Sequence, residues 1–139
     1  MAEEIQRLIF LDSSVLIEYF RKTKKERSFF YRLQLQQGYN GFLISGVIQI
    51  EIFRGSNYKQ KLFWENLFQD LILVPFGIKA TQSALEIISE LRLKRRELPI
   101  ADLIIAATAS SLNLPLATLN KKHFTDIDGL QLLTPDSFE

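Results

Sequence analysis

Three acidic residues interrupt apolar segments of this chain. Asp12 ends the run Leu8-Ile9-Phe10-Leu11, Glu51 follows Val47-Ile48-Gln49-Ile50, and Asp102 sits within Ile100-Ala101-Asp102-Leu103-Ile104-Ile105. A carboxylate among apolar neighbours is costly to ionise unless something compensates it. Two hydroxyls, Ser13 and Ser14, follow Asp12, and Asn120 closes a further apolar stretch, Leu114–Leu119. Three or four such oxygen ligands around one cleft would make an open Mg²⁺ or Mn²⁺ site, with water completing the octahedron. The carboxylates would repel one another without a cation or shared protons. A cation held there can ionise a bound water and stabilise in-line attack on a phosphodiester. Nearby Lys and Arg would hold the flanking phosphates. This is the chemistry of a metal-dependent nuclease.

Each acid also has a purely structural reading. Asp12 could cap the helix that follows it. Asp102 could favour the positive end of its own helix, an effect of roughly 0.3–1 kcal/mol. Glu51 could simply face solvent.

Composition narrows the chemistry. The 139 residues include no Cys and one His. Disulfides and thiolate metal sites are excluded, as is a zinc site built on a histidine cluster, and a Ser-His-Asp triad would depend on His123 alone. Carboxylates are the abundant ligand type left, and they favour hard ions. The net charge of +1 says little about partners. Basic residues do cluster, at Arg21–Arg27, Arg92–Arg96 and Lys121-Lys122-His123; such clusters suit either solvated helix ends or phosphate contacts. No apolar run approaches the ~18 residues that span a bilayer, and the acidic start Met1-Ala2-Glu3-Glu4 has no signal-peptide character. A soluble, cytoplasmic, single-domain protein covering residues 1–139 is expected.

The elements that must position these residues alternate. Residues 6–12 form a short apolar strand without internal alternation, as expected for a strand buried on both faces. Helices are expected over 14–22 and 24–37, the second ended by Gly38, Asn40 and Gly41. A very short strand, Phe42-Leu43-Ile44, precedes Ser45, a good N-cap for the helix that carries Glu51 and ends near Gly55. Helix 58–69, a buried strand over 71–76 and a long helix over 78–96 follow, the last burying Ala84, Leu85, Ile87, Ile88, Leu91 and Leu93. Pro99 suits the first turn of the helix carrying Asp102, which ends near Leu112-Asn113. Strands at 114–119 and 130–133 complete the chain. Strands alternating with helices imply crossovers and a mainly parallel sheet covered on both faces. Ligands bind at the carboxyl ends of such strands, where Asp12 and Asn120 lie.

Four motifs in this order resemble the PIN-domain proteins, specifically the VapC-like ribonuclease toxins of toxin–antitoxin pairs. They are Leu11-Asp12-Ser13-Ser14-Val15-Leu16-Ile17-Glu18, Ile44-Ser45 through Glu51-Ile52-Phe53-Arg54-Gly55, Ile100-Ala101-Asp102-Leu103-Ile104-Ile105-Ala106-Ala107, and Leu116-Ala117-Thr118-Leu119-Asn120-Lys121-Lys122-His123-Phe124 with Gly129-Leu130. The resemblance spans nearly the whole chain. It implies a Rossmann-like three-layer α/β/α sandwich and an endoribonuclease that needs Mg²⁺ or Mn²⁺. It puts Asp12, Glu51 and Asp102 at the acidic metal positions, so Asp12 is read as a direct ligand and not as a helix cap. Ser14 and Thr118 would donate hydrogen bonds that orient the carboxylates.

The chain departs from the family at the fourth motif. Asn120 stands where many relatives carry Asp, and His123 where many carry an acid. Asn120 is therefore a weaker ligand, with Asp126 a possible helper. His123 is read as structural or phosphate-facing, not as a general base. The resemblance also implies RNA as substrate, a cognate antitoxin and a homodimer. Phe29, Phe30, Tyr31, Phe63 and Trp64 suit either the core or those partner faces. The alternative within the same fold is a PIN-like nucleic-acid-binding or regulatory domain with weakened or lost catalysis. A phosphatase or nucleotide-binding protein is disfavoured, because the chain has neither G-x-G-x-x-G nor G-x-x-x-x-G-K-[ST].

Overall fold

A computed structural model describes residues 7–36 and 39–138 of the chain. Gln6 of the first expected strand, and Gln37 and Gly38 at the end of the second expected helix, lie outside the described residues.

Five strands form one sheet in the order β3-β2-β1-β4-β5: β1 Arg7–Leu11, β2 Tyr39–Ser45, β3 Ile72–Val74, β4 Leu116–Ala117 and β5 Leu132–Leu133. Every pairing is parallel. The helices flank this sheet as α1 Ser13–Arg21, α2 Phe29–Leu35, α3 Gly46–Arg54, α4 Tyr58–Gln69, α5 Ile78–Leu93, α6 Ile100–Ser111 and the one-turn α7 Lys121–Phe124. This is the expected α/β sandwich. Strand β1 is its centre, and Ile9, Phe10 and Leu11 are fully buried, as a strand covered on both faces requires. Connections leave β1 toward β2 on one side and return to β4 on the other. The crevice where ligands bind in open parallel sheets is therefore at the carboxyl ends of β1 and β4.

Register aligns the site. Phe10 pairs with Leu43 and Leu116. Carried on two residues, Asp12 stands level with Ser45 on one side and Thr118 on the other. The Asp12 N–H donates to the Ala117 carbonyl at 3.0 Å.

Several elements differ from expectation. The helix expected over 24–37 is broken. A 3₁₀ turn covers Lys25–Arg27, and α2 begins only at Phe29. Ser28 is the break: its backbone is extended, and its hydroxyl donates to the Lys25 carbonyl and accepts the Tyr31 N–H. The Glu18 carboxylate accepts the Phe29 N–H at 2.7 Å, so a distant side chain satisfies a donor at the new helix start. Asn40 and Gly41, expected to stop a helix, belong to β2 instead. A Cβ on Gly41 would lie 2.5 Å from Leu8 Cδ2, so this glycine allows the two strands to close.

Strand β3 is shorter than 71–76, ending before Pro75, and it is the sheet's edge. Ile72 is 50% and Leu73 54% exposed, not buried. Only Leu116–Ala117 and Leu132–Leu133 pair within the last two expected strands. Helix α5 stops at Leu93, before Arg95 turns the chain at φ 56°. Leu85 and Leu93, expected in the core, are exposed. Pro99 is the N-cap of α6, one position before the first turn. Of the aromatic residues, Phe29, Phe30 and Trp64 are buried in the core, Phe63 is half-buried against it, and Tyr31 is exposed. Phe20 packs edge-on against Phe63 and at a tilt against Trp64, at centroid distances of 5.0 and 5.1 Å.

Candidate active site

Asp12 is the best-held side chain of the site. It is 3% exposed. Its Oδ1 accepts the Ser13 N–H at 2.9 Å, and its Oδ2 accepts the Ser14 and Thr118 hydroxyls, both at 2.8 Å. Each hydroxyl is oriented in turn by a backbone donor. Ser14 Oγ accepts the Leu119 N–H at 3.0 Å and Thr118 Oγ1 accepts the Asn120 N–H at 2.9 Å. A hydroxyl that accepts from the backbone has its proton free for the carboxylate. The two hydroxyls therefore tie α1 to the end of β4 through one carboxylate oxygen. Asp12 is also the N-cap of α1. The choice between cap and site residue is thus not exclusive, because the Oδ1 contact occupies only part of the carboxylate's accepting capacity.

Glu51 projects from the second turn of α3 and Asp102 from the first turn of α6. Glu51 is exposed, as a solvent-facing residue would be, but partial desolvation of its carboxyl first, then repulsion from Asp102 and Asp12, raises it above its ordinary range, and Arg54 opposes this. Burial first, then repulsion from Asp12, raises Asp102, with His123 acting in the opposite sense. The three acids, distant in sequence, therefore share one electrostatic neighbourhood. Asn120 is exposed and its side chain makes no cap bond to α7. It lines an open groove of about 610 Å³ with Ser13, Ser14, Arg21 and Lys22. A second cavity, of about 250 Å³, lies between Glu51, Arg21, Ile52 and Trp64.

Two contacts were not visible in the sequence. His123 Nδ1 lies 3.2 Å from Asp102 Oδ2, although the residues are far apart in the chain and no local pattern links them. Asp126, expected to support Asn120, is instead held by the Arg96 guanidinium. Ser45 occupies the N-cap position of α3 but makes no capping bond. Its buried Oγ has no partner among the described residues.

The donor types suit a hard divalent cation, since raised carboxyls in mutual repulsion are what such an ion relieves. Ser45, level with Asp12 across the sheet, adds an unsatisfied hydroxyl at the same edge. Among the described residues no three His, Asp or Glu side chains stand close enough to hold an ion.

Residues 9–130 match the PIN domain family. The chain belongs to that family. It is 33% identical over 132 residues to Ribonuclease VapC1 of Methanocaldococcus jannaschii, covering 88% of this chain and 82% of that protein. Among solved structures it resembles VapBC2 from Rickettsia felis bound to a promoter DNA fragment, with a TM-score of 0.80 and 26% identity over 91% of this chain and 98% of that one. DNA-bound VapBC from Salmonella typhimurium has the same fold, with a TM-score of 0.80 and 20% identity over 93% and 98% of the two chains. Among the described residues of this PIN domain, no helix is long and apolar enough to cross a membrane.

Proposed function

We propose that this chain is a metal-dependent endoribonuclease and the toxin of a toxin–antitoxin pair. The observation that carries the proposal is the PIN-domain match over residues 9–130, with Asp12 held by the Ser14 and Thr118 hydroxyls at the carboxyl end of β1 and with Glu51 and Asp102 both raised by burial and by neighbouring acids. The ribonuclease name of its relative supports RNA as the substrate. Asp12, Glu51 and Asp102, which do not stand close enough together to hold an ion as they are, would have to draw in around Mg²⁺ or Mn²⁺, and Asn120 would offer a neutral amide oxygen. The ion would lower the pKa of an attacking water and stabilise charge on the phosphoryl oxygens. The chain's own groups do the rest. Ser14 and Thr118 fix the Asp12 carboxylate in one orientation. Arg21 and Lys22, on the groove beside Asn120, are placed to meet backbone phosphates. The groove beside Asn120 is open to solvent, which suits a polymer.

The cavity beside Glu51, with Ile17, Phe20, Ile52 and Trp64 as apolar lining, suits an antitoxin helix with apolar anchors at helical spacing. The VapBC names of the structural relatives support that partner. Homodimer assembly and cytoplasmic action belong to the same proposal. One observation favours a weakened catalyst: Asn120 supplies no charge at the groove.

The test is cleavage of total cellular RNA by the purified chain with and without Mg²⁺ or Mn²⁺. Asp12→Asn and Asp102→Asn are expected to abolish cleavage. Cleavage that survives either substitution, or that needs no divalent ion, rejects the proposal. Calorimetry that detects no Mn²⁺ binding at millimolar concentration supports the non-catalytic alternative.

A further inference from the structure

We propose that Arg96 is a positioning residue of this site, holding the α7 turn so that His123 meets Asp102 and Asn120 stays at the groove. The inference rests on the ribonuclease reading for its catalytic consequence, but its geometry stands independently.

Helix α7 is one turn long. A single turn in isolation is unstable, because nucleation fixes several residues for one hydrogen bond. Its last carbonyls also lack helical partners. Arg96 supplies those partners from outside. Nη2 donates to the Lys122 carbonyl at 2.9 Å and to the His123 carbonyl at 2.8 Å, and Nη1 donates to the Asp126 carboxylate. One planar fork thus grips the residue before His123, His123 itself and the chain just beyond α7. Lysine cannot reproduce this, since it presents a point charge and not a rigid fork.

The surroundings reinforce the grip. Arg95 reverses the chain after α5 at φ 56°, and Arg96 follows it directly. Lys94 Nζ donates to the Asp126 carbonyl at 2.6 Å and pairs with Glu90 and Asp128, each at 3.3 Å. Phe124, 1% exposed, pins the same turn into the core. The end of α5 is therefore braced against the segment that follows β4. That segment carries Asn120 at its start and His123 within it, and His123 is 3.2 Å from Asp102. Asp102 lies on α6, which begins just after Arg96. The brace links both sides of the His123–Asp102 contact.

The test uses the full chain and its only histidine, whose ring gives a single set of NMR signals. In the wild type, ring protons of His123 are expected to show nuclear Overhauser contacts to the first turn of α6. In Arg96→Gln these contacts are expected to disappear, while circular dichroism stays native. For RNA cleavage, kcat is expected to fall about tenfold or more with KM within about twofold, following the rate scale of lost positioning. Arg96→Lys is expected to recover only part of the rate. Retained ring contacts in Arg96→Gln, an unchanged kcat, or an effect confined to KM overturns the proposal. Should Arg96→Gln fail to fold, Asp126→Ala removes one of the three acceptors and is read the same way. A partial loss of ring contacts and rate supports the brace, and none overturns it. Wild-type protein that cleaves no RNA refutes the ribonuclease reading, and the ring contacts then decide the brace alone.

Discussion

Replacing Thr118 by Val tests the hydroxyl network most directly. The two side chains have nearly the same shape, and Thr118 is fully buried, so the change removes a hydroxyl and little else. Two close bonds go with it, the donation to Asp12 Oδ2 at 2.8 Å and the acceptance of the Asn120 N–H at 2.9 Å, and with them a long 3.5 Å contact to Ser14 Oγ. A hydrogen bond to an ionised group is worth about 1.5–3 kcal/mol. Asp12 keeps two other donors, Ser13 N–H and Ser14 Oγ, which favours the lower half of that range. The exposed Asn120 can give its N–H to water, so that loss adds about 0.5 kcal/mol. The expected destabilisation is about 2–3 kcal/mol, or about 6–10 °C in Tm for a chain of this length. Thr118→Ser keeps the hydroxyl and loses one methyl, which costs about 1 kcal/mol. Urea unfolding at neutral pH without divalent ions measures both. Ser14→Ala combined with Thr118→Val is expected to be non-additive, because both hydroxyls share one carboxylate oxygen. If Thr118→Val costs no more than Thr118→Ser, the hydroxyl does not hold Asp12 and the reasoning fails.

Other perturbations probe other parts of the molecule. The Glu51 and Asp102 carboxyls are raised in the folded chain, so folding takes up protons at these groups. Their favourable contribution is fully present below the ordinary carboxylate range and is lost as pH rises through the raised values. Glu51→Gln should therefore stabilise the metal-free chain more at pH 7 than at pH 4, as read by denaturant midpoints; an equal effect at both would show that the Glu51 carboxyl is not raised by folding. Mn²⁺ should raise Tm more at pH 7 than at pH 5, since the ion takes the deprotonated acids. Gly41→Ala forces Leu8 Cδ2 from a 2.5 Å approach and is expected to cost about 1–3 kcal/mol; a neutral result would mean that Leu8 swings aside freely. Lys25 Nζ donates to the carbonyls of Tyr19, Phe20 and Lys22 at 2.6, 2.8 and 2.8 Å. Lys25→Met should cost about 1–2 kcal/mol by uncapping α1, with no loss of kcat if the ammonium's role is structural.

Local patterns carried much of this. The unalternating apolar run before Asp12 is the buried central strand, and the alternation with helices is the parallel sheet. The helix carrying Asp102 spans Ile100–Ser111, close to the range its apolar content suggests. Errors occurred where a distant group intervened. Nothing within residues 24–37 says that Glu18 accepts the Phe29 N–H and so favours a break at Ser28. Asn40 and Gly41 look like helix stops until Leu8 needs the space of the missing Cβ. Ile72-Leu73-Val74 looks like a core strand, and only the sheet order makes it an edge. Apolar content does not distinguish the two.

By itself, the sequence determined which residue types were available for chemistry. Carboxylates at a strand end and in early helix turns, without Cys and with one His, leave hard-ion and phosphodiester chemistry as the consistent reading, and the ordered motifs identify the PIN family. Tertiary structure alone decided how those groups are held. Thr118 joins Ser14 at Asp12 because the β1–β4 register brings Thr118 level with Asp12. His123 reaches Asp102, and Arg96 reaches the carbonyls of α7, across separations that no periodicity encodes. Secondary structure follows from side chains a few positions apart. Hydrogen bonds and electrostatic repulsion depend on distance in space, and that distance exists only once the sheet has closed.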